Sequence, residues 1–153
     1  MGNIKRLNHA VLWVREVAKS VDFYTRVLGF TVIDEIPGGR GAFLRAGGSD
    51  NHHDLGLFAV GAQAPGQTRG GVGLYHLAWQ VDEISELATL ADALKAEGAL
   101  VGATDHGTSK SLYAKDPDGI EFEIMFLLPA EAWPADTAMN RPLDLQKELA
   151  TWG

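Results

Sequence analysis

The apolar residues of this chain alternate between strand-like and helix-like spacing, and they do so twice in the same order. Alternation over 6–14 predicts a strand, and apolar residues three and four positions apart over 17–28 predict a helix after it. Further strands are predicted over 30–36, 41–45 and 54–60. The second round predicts a strand over 73–81, a helix over 84–97, and strands over 99–103, 111–114 and 120–127. This order predicts an α+β fold of two tandem βαβββ modules that form a curved mixed sheet.

Turn-forming residues divide the chain into segments. Glycine, proline and small polar residues over 61–71 predict a linker, so the modules are expected at 4–60 and 72–128. The remaining tail, 129–153, is rich in Pro and Ala and ends in a short helix expected over 143–151. We expect this helix to cap the sheet or to form a dimer contact, and a flap over a pocket is the alternative.

Composition and charge exclude several classes of function. The net charge of -7 argues against a nucleic-acid partner, because phosphate backbones require clustered Lys and Arg. No apolar run is long enough for a membrane span and no secretory leader is recognisable, so a cytoplasmic location is expected. The chain has no cysteine, so any metal must be held by His, Asp, Glu and water.

Two histidines occupy matching places in the two modules. Leu7, His9 and Val14 are repeated at a constant offset as Leu74, His76 and Val81. A single histidine on an apolar strand is usually a core or surface residue, but duplication explains both positions together. We therefore expect His9 and His76 to face one shared divalent metal.

Glu123 is the candidate third ligand. It shares one face of the last strand with Glu121 and Met125, while apolar residues fill the opposite face. A carboxylate in the middle of a strand is costly to bury unless it is paired or bound to a metal. Glu121 is a rival, but it lies nearer the turn and is expected to face solvent. The position equivalent to Glu123 in the first module is Gly56, so three protein ligands would leave coordination positions open.

A longer pattern precedes Glu123. His106 is followed at fixed intervals by Leu112-Tyr113, by the turn Asp116-Pro117-x-Gly119, and by Glu123. In this pattern the chain resembles the type I extradiol ring-cleaving dioxygenases (catechol 2,3-dioxygenase-like proteins) of the vicinal oxygen chelate superfamily. The resemblance covers nearly all of residues 4–128, and two modules rather than four place the chain with the compact branch.

The resemblance implies a function and a set of roles. His9, His76 and Glu123 would hold Fe(II), with Mn(II) as the alternative, inside a cleft formed by the sheets. His53 would act as acid and base beside bound dioxygen, while His106 and Tyr113 would hydrogen-bond a catechol-type substrate. The product would be of the muconic semialdehyde type, and a homodimer or larger assembly is expected.

Two other functions stay open at this stage. A metal-dependent glyoxalase- or epimerase-like enzyme of the same superfamily would generally use a fourth protein ligand near Gly56, where this chain offers none. A non-catalytic protein that binds small molecules such as drugs would need no metal ligands.

Overall fold

The structure is a computed structural model, and it describes residues 2–135 and 139–153. Its internal contacts divide the chain into two compact units, Met1–Gly66 and Gln67–Gly153. Each unit is a βαβββ module with its own mixed sheet, so the predicted α+β fold of two tandem modules is confirmed. Within the described ranges, no helix combines the length and the apolar character needed to cross a bilayer.

The first unit contains one helix against a four-stranded sheet. In chain order its elements are β1 (Ala10–Val14), α1 (Val17–Arg26), β2 (Thr31–Ile36), β3 (Gly41–Arg45) and β4 (Leu55–Ala59). The spatial order is β1-β4-β3-β2, with β1 and β4 parallel and the other pairs antiparallel. Helix α1 packs on β3 and β4, where Leu44, Leu55 and Leu57 are completely buried.

The second unit repeats this arrangement and extends it. Its elements are β5 (Leu77–Val81), α2 (Ile84–Ala96), β6 (Leu100–Asp105), β7 (Ser109–Lys115), β8 (Glu121–Leu127), β9 (Arg141–Pro142) and α3 (Leu145–Trp152). The sheet order is β5-β8-β7-β6-β9, with β5 and β8 parallel.

Helix α2 shows why the second unit folds as the spacing predicts. Glu83 and Glu86 form a capping box at its start, and Ile84, Leu87 and Leu94 are buried on its inner face. Burial of each such side chain stabilises the fold by about 1.5–3 kcal/mol. The helix packs on β7 and β8. Phe122 and Ile124 of β8 are buried on the face that it covers, so Glu123, which lies between them in the strand, is on the opposite face of the sheet.

The strands that carry the paired histidines begin later than their alternation predicts. Strand β1 begins at Ala10 and β5 at Leu77, so His9 and His76 directly precede their strands. The reason is pairing, because the ladder of β1 with β4 begins at the Ala10–Leu55 pair and that of β5 with β8 at the Leu77–Phe122 pair. Alternation alone does not show at which residue the pairing with the neighbouring strand begins.

The tail belongs to the second unit. Strand β9 pairs with β6, and α3 packs against α2. Strand β9 thus extends the edge of the second sheet, and α3 lies beside α2. The tail segment 136–138 lies outside the described residues.

Gly107 and Gly119 offer a matched pair of substitutions. Both have a backbone φ near +80°, but a Cβ on Gly107 would lie 2.9 Å from Pro134 Cγ and 3.2 Å from Met139 Sδ, whereas one on Gly119 would meet nothing. We expect Gly119→Ala to cost about 1–2 kcal/mol from backbone strain alone. Gly107→Ala should cost a further 1–3 kcal/mol, approximately, from overpacking. Urea unfolding of both variants measures the difference, and equal costs would contradict a close approach of the tail to Gly107.

Candidate metal and catalytic site

In the second unit His76 and Glu123 face each other. The parallel ladder pairs Ala78 of β5 with Glu123 of β8, and His76, two residues before Ala78, projects from the same face. The Nε2 atom of His76 lies 3.2 Å from Oε2 of Glu123. Glu123 is only 8% exposed, so the predicted buried carboxylate in the middle of β8 is present.

The donor set of this pair fits a divalent metal. An imidazole nitrogen and a carboxylate oxygen are both ligands of Fe(II) and Mn(II). Two such atoms bound at right angles, with bonds of about 2.1 Å, lie roughly 3.0 Å apart, close to the observed separation. The ring of His76 packs against Tyr75 and Tyr113. Its buried Nδ1 has no hydrogen-bond partner among the described residues, so these packing contacts orient the ring.

Tyr113 and His106 form a second pair beside the first. Tyr113 lies directly across from Glu123 in the ladder of β7 with β8, and its hydroxyl oxygen is 2.8 Å from Nε2 of His106. Burial raises the pKa of the Tyr113 hydroxyl, and the negative charge of Glu123 raises it further. Tyr113 is therefore a neutral hydrogen-bond donor at pH 7.

In the first unit the predicted histidines also lie together. The ring centroids of His9 and His53 are 4.6 Å apart, and Phe43 packs against His53 at 5.1 Å. His9 is exposed, and its Nδ1 donates to Asn8 Oδ1 at 2.9 Å, which leaves Nε2 available to a metal. Burial lowers the pKa of His53, and electrostatic repulsion from the neighbouring imidazoles of His9 and His52 lowers it further. His53 is therefore a neutral imidazole at pH 7.

The strand register identifies the counterpart of Glu123 in the first unit. Gly56 pairs with Val11 in the ladder of β1 with β4, just as Glu123 pairs with Ala78 in the ladder of β5 with β8. A Cβ at Gly56 would make ordinary van der Waals contacts, at 3.4 Å with Val11 and 3.6 Å with Phe43, so the residue type rather than a lack of space leaves this position without a side chain. The first unit therefore offers no carboxylate at this position.

Each unit brings together its own share of the predicted residues. The first holds His9 and His53, with His52 as a neighbour of His53 at 3.1 Å between the two Nδ1 atoms. The second holds the remaining four, namely His76, Glu123, Tyr113 and His106. Taken separately, neither unit places three His, Asp or Glu side chains around one metal position among its described residues.

A buried charge network near His106 was not predicted from the sequence. Lys110 on β7, only 5% exposed, donates to Asp105 at 2.6 Å and lies 3.4 Å from Glu148 of α3. Asp105 also accepts from the Gly107 amide at 2.8 Å, which holds the turn after His106. Because Lys110 stands between Ser109 and Ser111, its neighbours in the sequence do not indicate that it is buried.

Asp105 gives the stability a dependence on pH. Burial raises the pKa of Asp105, but the hydrogen bonds from Lys110 and Gly107 and the charge of Arg141 outweigh burial and hold the pKa below its ordinary value of 3.8. A carboxylate of this kind stabilises the folded state above its unfolded pKa, and the contribution is lost as the pH falls through the folded pKa.

We therefore expect Asp105→Asn to lower the free energy of unfolding at neutral pH. The deficit relative to the parent should shrink as the pH falls below about 4, because the parent then loses the same contribution. Urea unfolding from about pH 7 to pH 2 measures both proteins. A deficit that is constant over this range would contradict the assigned ionisation.

Two βαβββ modules, each contributing histidines at one end of its sheet, define the class of this protein. Residues 6–124 match the family described as the glyoxalase/bleomycin resistance protein/dioxygenase superfamily, and the chain belongs to it. A glyoxylase/bleomycin resistance protein/dioxygenase domain from Frankia sp. EAN1pec has the same fold. The TM-score is 0.68 at 22% identity, over 84% of this chain and 96% of that one.

Curated relatives come from more than one branch of the superfamily. The catechol-2,3-dioxygenase of Bacillus subtilis (strain 168) is 30% identical over 88% of this chain and 46% of its own length. The manganese-dependent 2,3-dihydroxybiphenyl 1,2-dioxygenase of Geobacillus genomosp. 3 is 32% identical over 80% of this chain and 37% of its own length. The chain thus spans less than half of these two dioxygenases. A lactoylglutathione lyase of Neisseria meningitidis serogroup A is 29% identical over 78% of this chain and 89% of its own length.

Proposed function

We propose that this protein is an extradiol dioxygenase that cleaves a catechol-type ring with dioxygen on Fe(II) or Mn(II) held by His9, His76 and Glu123. The main support is the contrast between Glu123, which faces His76 at 3.2 Å, and its register equivalent Gly56, which has no side chain. Three ligands of this kind leave sites for two exogenous molecules. Relatives named as catechol and dihydroxybiphenyl dioxygenases, one of them manganese-dependent, agree with this proposal.

The residues beside the ligands have complementary roles in the proposal. A divalent metal bound to the three ligands would supply adjacent open positions for the catechol oxygens and dioxygen. His106 and Tyr113 are hydrogen-bonded at 2.8 Å, so the hydroxyl oxygen of Tyr113, oriented by Nε2 of His106, would accept a hydrogen bond from a substrate hydroxyl. His53, with its lowered pKa, would be neutral at pH 7 and able to take up a proton from the substrate hydroxyl and return it to the product.

Anaerobic loading followed by oxygen tests the proposal directly. The purified chain is loaded with Fe(II) or Mn(II) without air, mixed with catechol or 2,3-dihydroxybiphenyl, and then exposed to oxygen. We expect oxygen uptake equimolar with the appearance of a yellow ring-fission product. Stoichiometric metal without oxygen uptake, across a panel of substituted catechols, would contradict the proposal.

A glyoxalase-type activity is the second candidate. It is supported by the lactoylglutathione lyase of Neisseria meningitidis serogroup A, which is 29% identical to this chain. The vacancy at Gly56 counts against it, since such enzymes generally need a fourth protein ligand in that region. Isomerisation of the methylglyoxal–glutathione hemithioacetal by the metal-loaded chain, without oxygen uptake, would favour this candidate.

A non-catalytic binding function predicts a third set of metal-binding and ligand-binding results. The chain would then bind neither Fe(II) nor Mn(II) in stoichiometric amount, yet would still bind aromatic molecules. Metal analysis after anaerobic loading separates this outcome from both enzymatic functions.

A further inference from the structure

The C-terminal tail contacts His106 through the backbone of Met139. The tail lies beyond the part of the chain that matches the superfamily, residues 6–124, and the proposed function assigns it no role. Nδ1 of His106 lies 3.1 Å from the carbonyl oxygen of Met139, and Nε2 lies 2.8 Å from the Tyr113 hydroxyl. The imidazole is thus held from both sides, by the tail and by β7.

The chemistry of these two partners fixes the position of the imidazole proton. A backbone carbonyl can only accept a hydrogen bond, so Nδ1 of His106 must carry the proton. In a neutral imidazole Nε2 is then an acceptor, and the Tyr113 hydroxyl must donate to it. A histidine free in water prefers the opposite tautomer, with the proton on Nε2, so the carbonyl of Met139 reverses the intrinsic preference.

Two attachments hold the tail in place around this carbonyl. Strand β9 begins two residues after Met139 and pairs with the end of β6 through Arg141–Asp105 and Pro142–Thr104. Further along, Glu148 of α3 is only 7% exposed. It lies 3.4 Å from the buried Lys110 and accepts from the Trp152 indole at 3.1 Å.

The same network reaches the turn that carries His106. Lys110 also donates to Asp105, the residue before His106, and Asp105 accepts from the Gly107 amide. Through Glu148 and Asp105, Lys110 therefore connects α3 with the turn at 105–107 that contains His106. Loss of Glu148 should loosen the tail while leaving the Asp105–Lys110 pair in place.

We propose that the segment Met139–Trp152 is a positioning element, anchored by Glu148 on Lys110, which fixes His106 as the Nδ1–H tautomer so that Nε2 accepts the hydrogen bond of Tyr113. The use of this pair in catalysis rests on the proposed function, whereas the tautomer does not. In the proposed site, the fixed tautomer keeps an acceptor nitrogen, rather than an N–H group, directed at Tyr113.

Nitrogen NMR of the intact chain tests the tautomer without metal, substrate or oxygen. Long-range proton–nitrogen correlations of the imidazole rings are recorded at about pH 8, above the ordinary histidine pKa. The signals of His106 are identified by their loss in His106→Gln. We expect a protonated Nδ1 and an unprotonated Nε2, and the reverse pattern would overturn the proposal. Because no turnover is measured, failure here is distinct from failure of ring cleavage.

Variants of the anchor test the role of the tail. In Glu148→Ala, and more mildly in Glu148→Gln, the Nδ1–H form of His106 should fall from nearly the whole population to a minority, with the two nitrogen shifts moving towards each other. Gln146→Ala, at an exposed position of the same helix, should leave the shifts unchanged.

Glu148→Gln keeps the size of the side chain and so guards against misfolding of Glu148→Ala. Amide spectra identify which variants remain folded. If either folded variant keeps the parent tautomer, the positioning role is overturned.

Discussion

Replacement of Glu123 by Gln should abolish stoichiometric binding of Fe(II) or Mn(II), and ring cleavage with it. The amide has nearly the same shape as the carboxylate but lacks the negative charge that a divalent cation requires. Loss of partners that only orient a ligand costs about 10- to 100-fold in metal affinity, so loss of a ligand itself should exceed about 100-fold. Metal titration followed by elemental analysis of the dialysed protein measures the change.

Glu121→Gln is the matched control, because Glu121 lies two residues earlier on the same face of β8. It is half-buried and pairs with Lys115 at the start of the strand, away from the rung shared by Glu123 and Tyr113. We expect its metal content and turnover to stay within a factor of a few of the parent. Normal metal content in Glu123→Gln would exclude Glu123 as a ligand. Loss of metal in Glu121→Gln alone would assign the third ligand to Glu121 instead.

His53→Ala should separate chemistry from metal binding. His53 contacts His9 and Phe43 in the first unit, and its lowered pKa leaves it neutral at pH 7 and able to accept a proton. Loss of a positioned general acid or base slows a reaction by about 100- to 10,000-fold. We expect kcat to fall within this range while stoichiometric metal is retained. Steady-state oxygen uptake and metal analysis of the same preparation give both quantities.

His52→Ala provides the control for this experiment. The two histidines are adjacent in the chain and in contact, but His52 is exposed and has no assigned role. We expect less than about a tenfold loss of turnover in His52→Ala, well below that of a lost general acid or base. Loss of metal in His53→Ala would instead mark His53 as a ligand, and equal effects in both variants would remove its special role.

The fold was largely predictable because apolar spacing is a local property of the chain. The buried stripe of α2 and the alternation in β8, with Phe122 and Ile124 on one face and Glu123 on the other, follow directly from the order of the residues. The ends of the strands were less predictable, since β1 and β5 begin only where β4 and β8 provide partners. Strand ends depend on hydrogen bonds to distant segments, which spacing does not encode.

The candidate site shows a similar division. The duplicated positions of His9 and His76 and the vacancy at Gly56 were visible in the sequence, because an internal repeat with a fixed strand register places equivalent residues in equivalent surroundings. The direction of the His106 ring was not visible. It depends on the carbonyl of Met139, a group that every residue carries and that no sequence pattern distinguishes.

By itself, the sequence determined the two βαβββ modules, the buried carboxylate at Glu123 and the types of side chain available to a metal, because these follow from local periodicity and from residue chemistry. Only the tertiary structure decided that His76 meets Glu123 at 3.2 Å, that Tyr113 bonds His106, and that a buried lysine holds the tail against the sheet. Those contacts join residues far apart in the chain. Their formation depends on the packing and strand register of the whole unit.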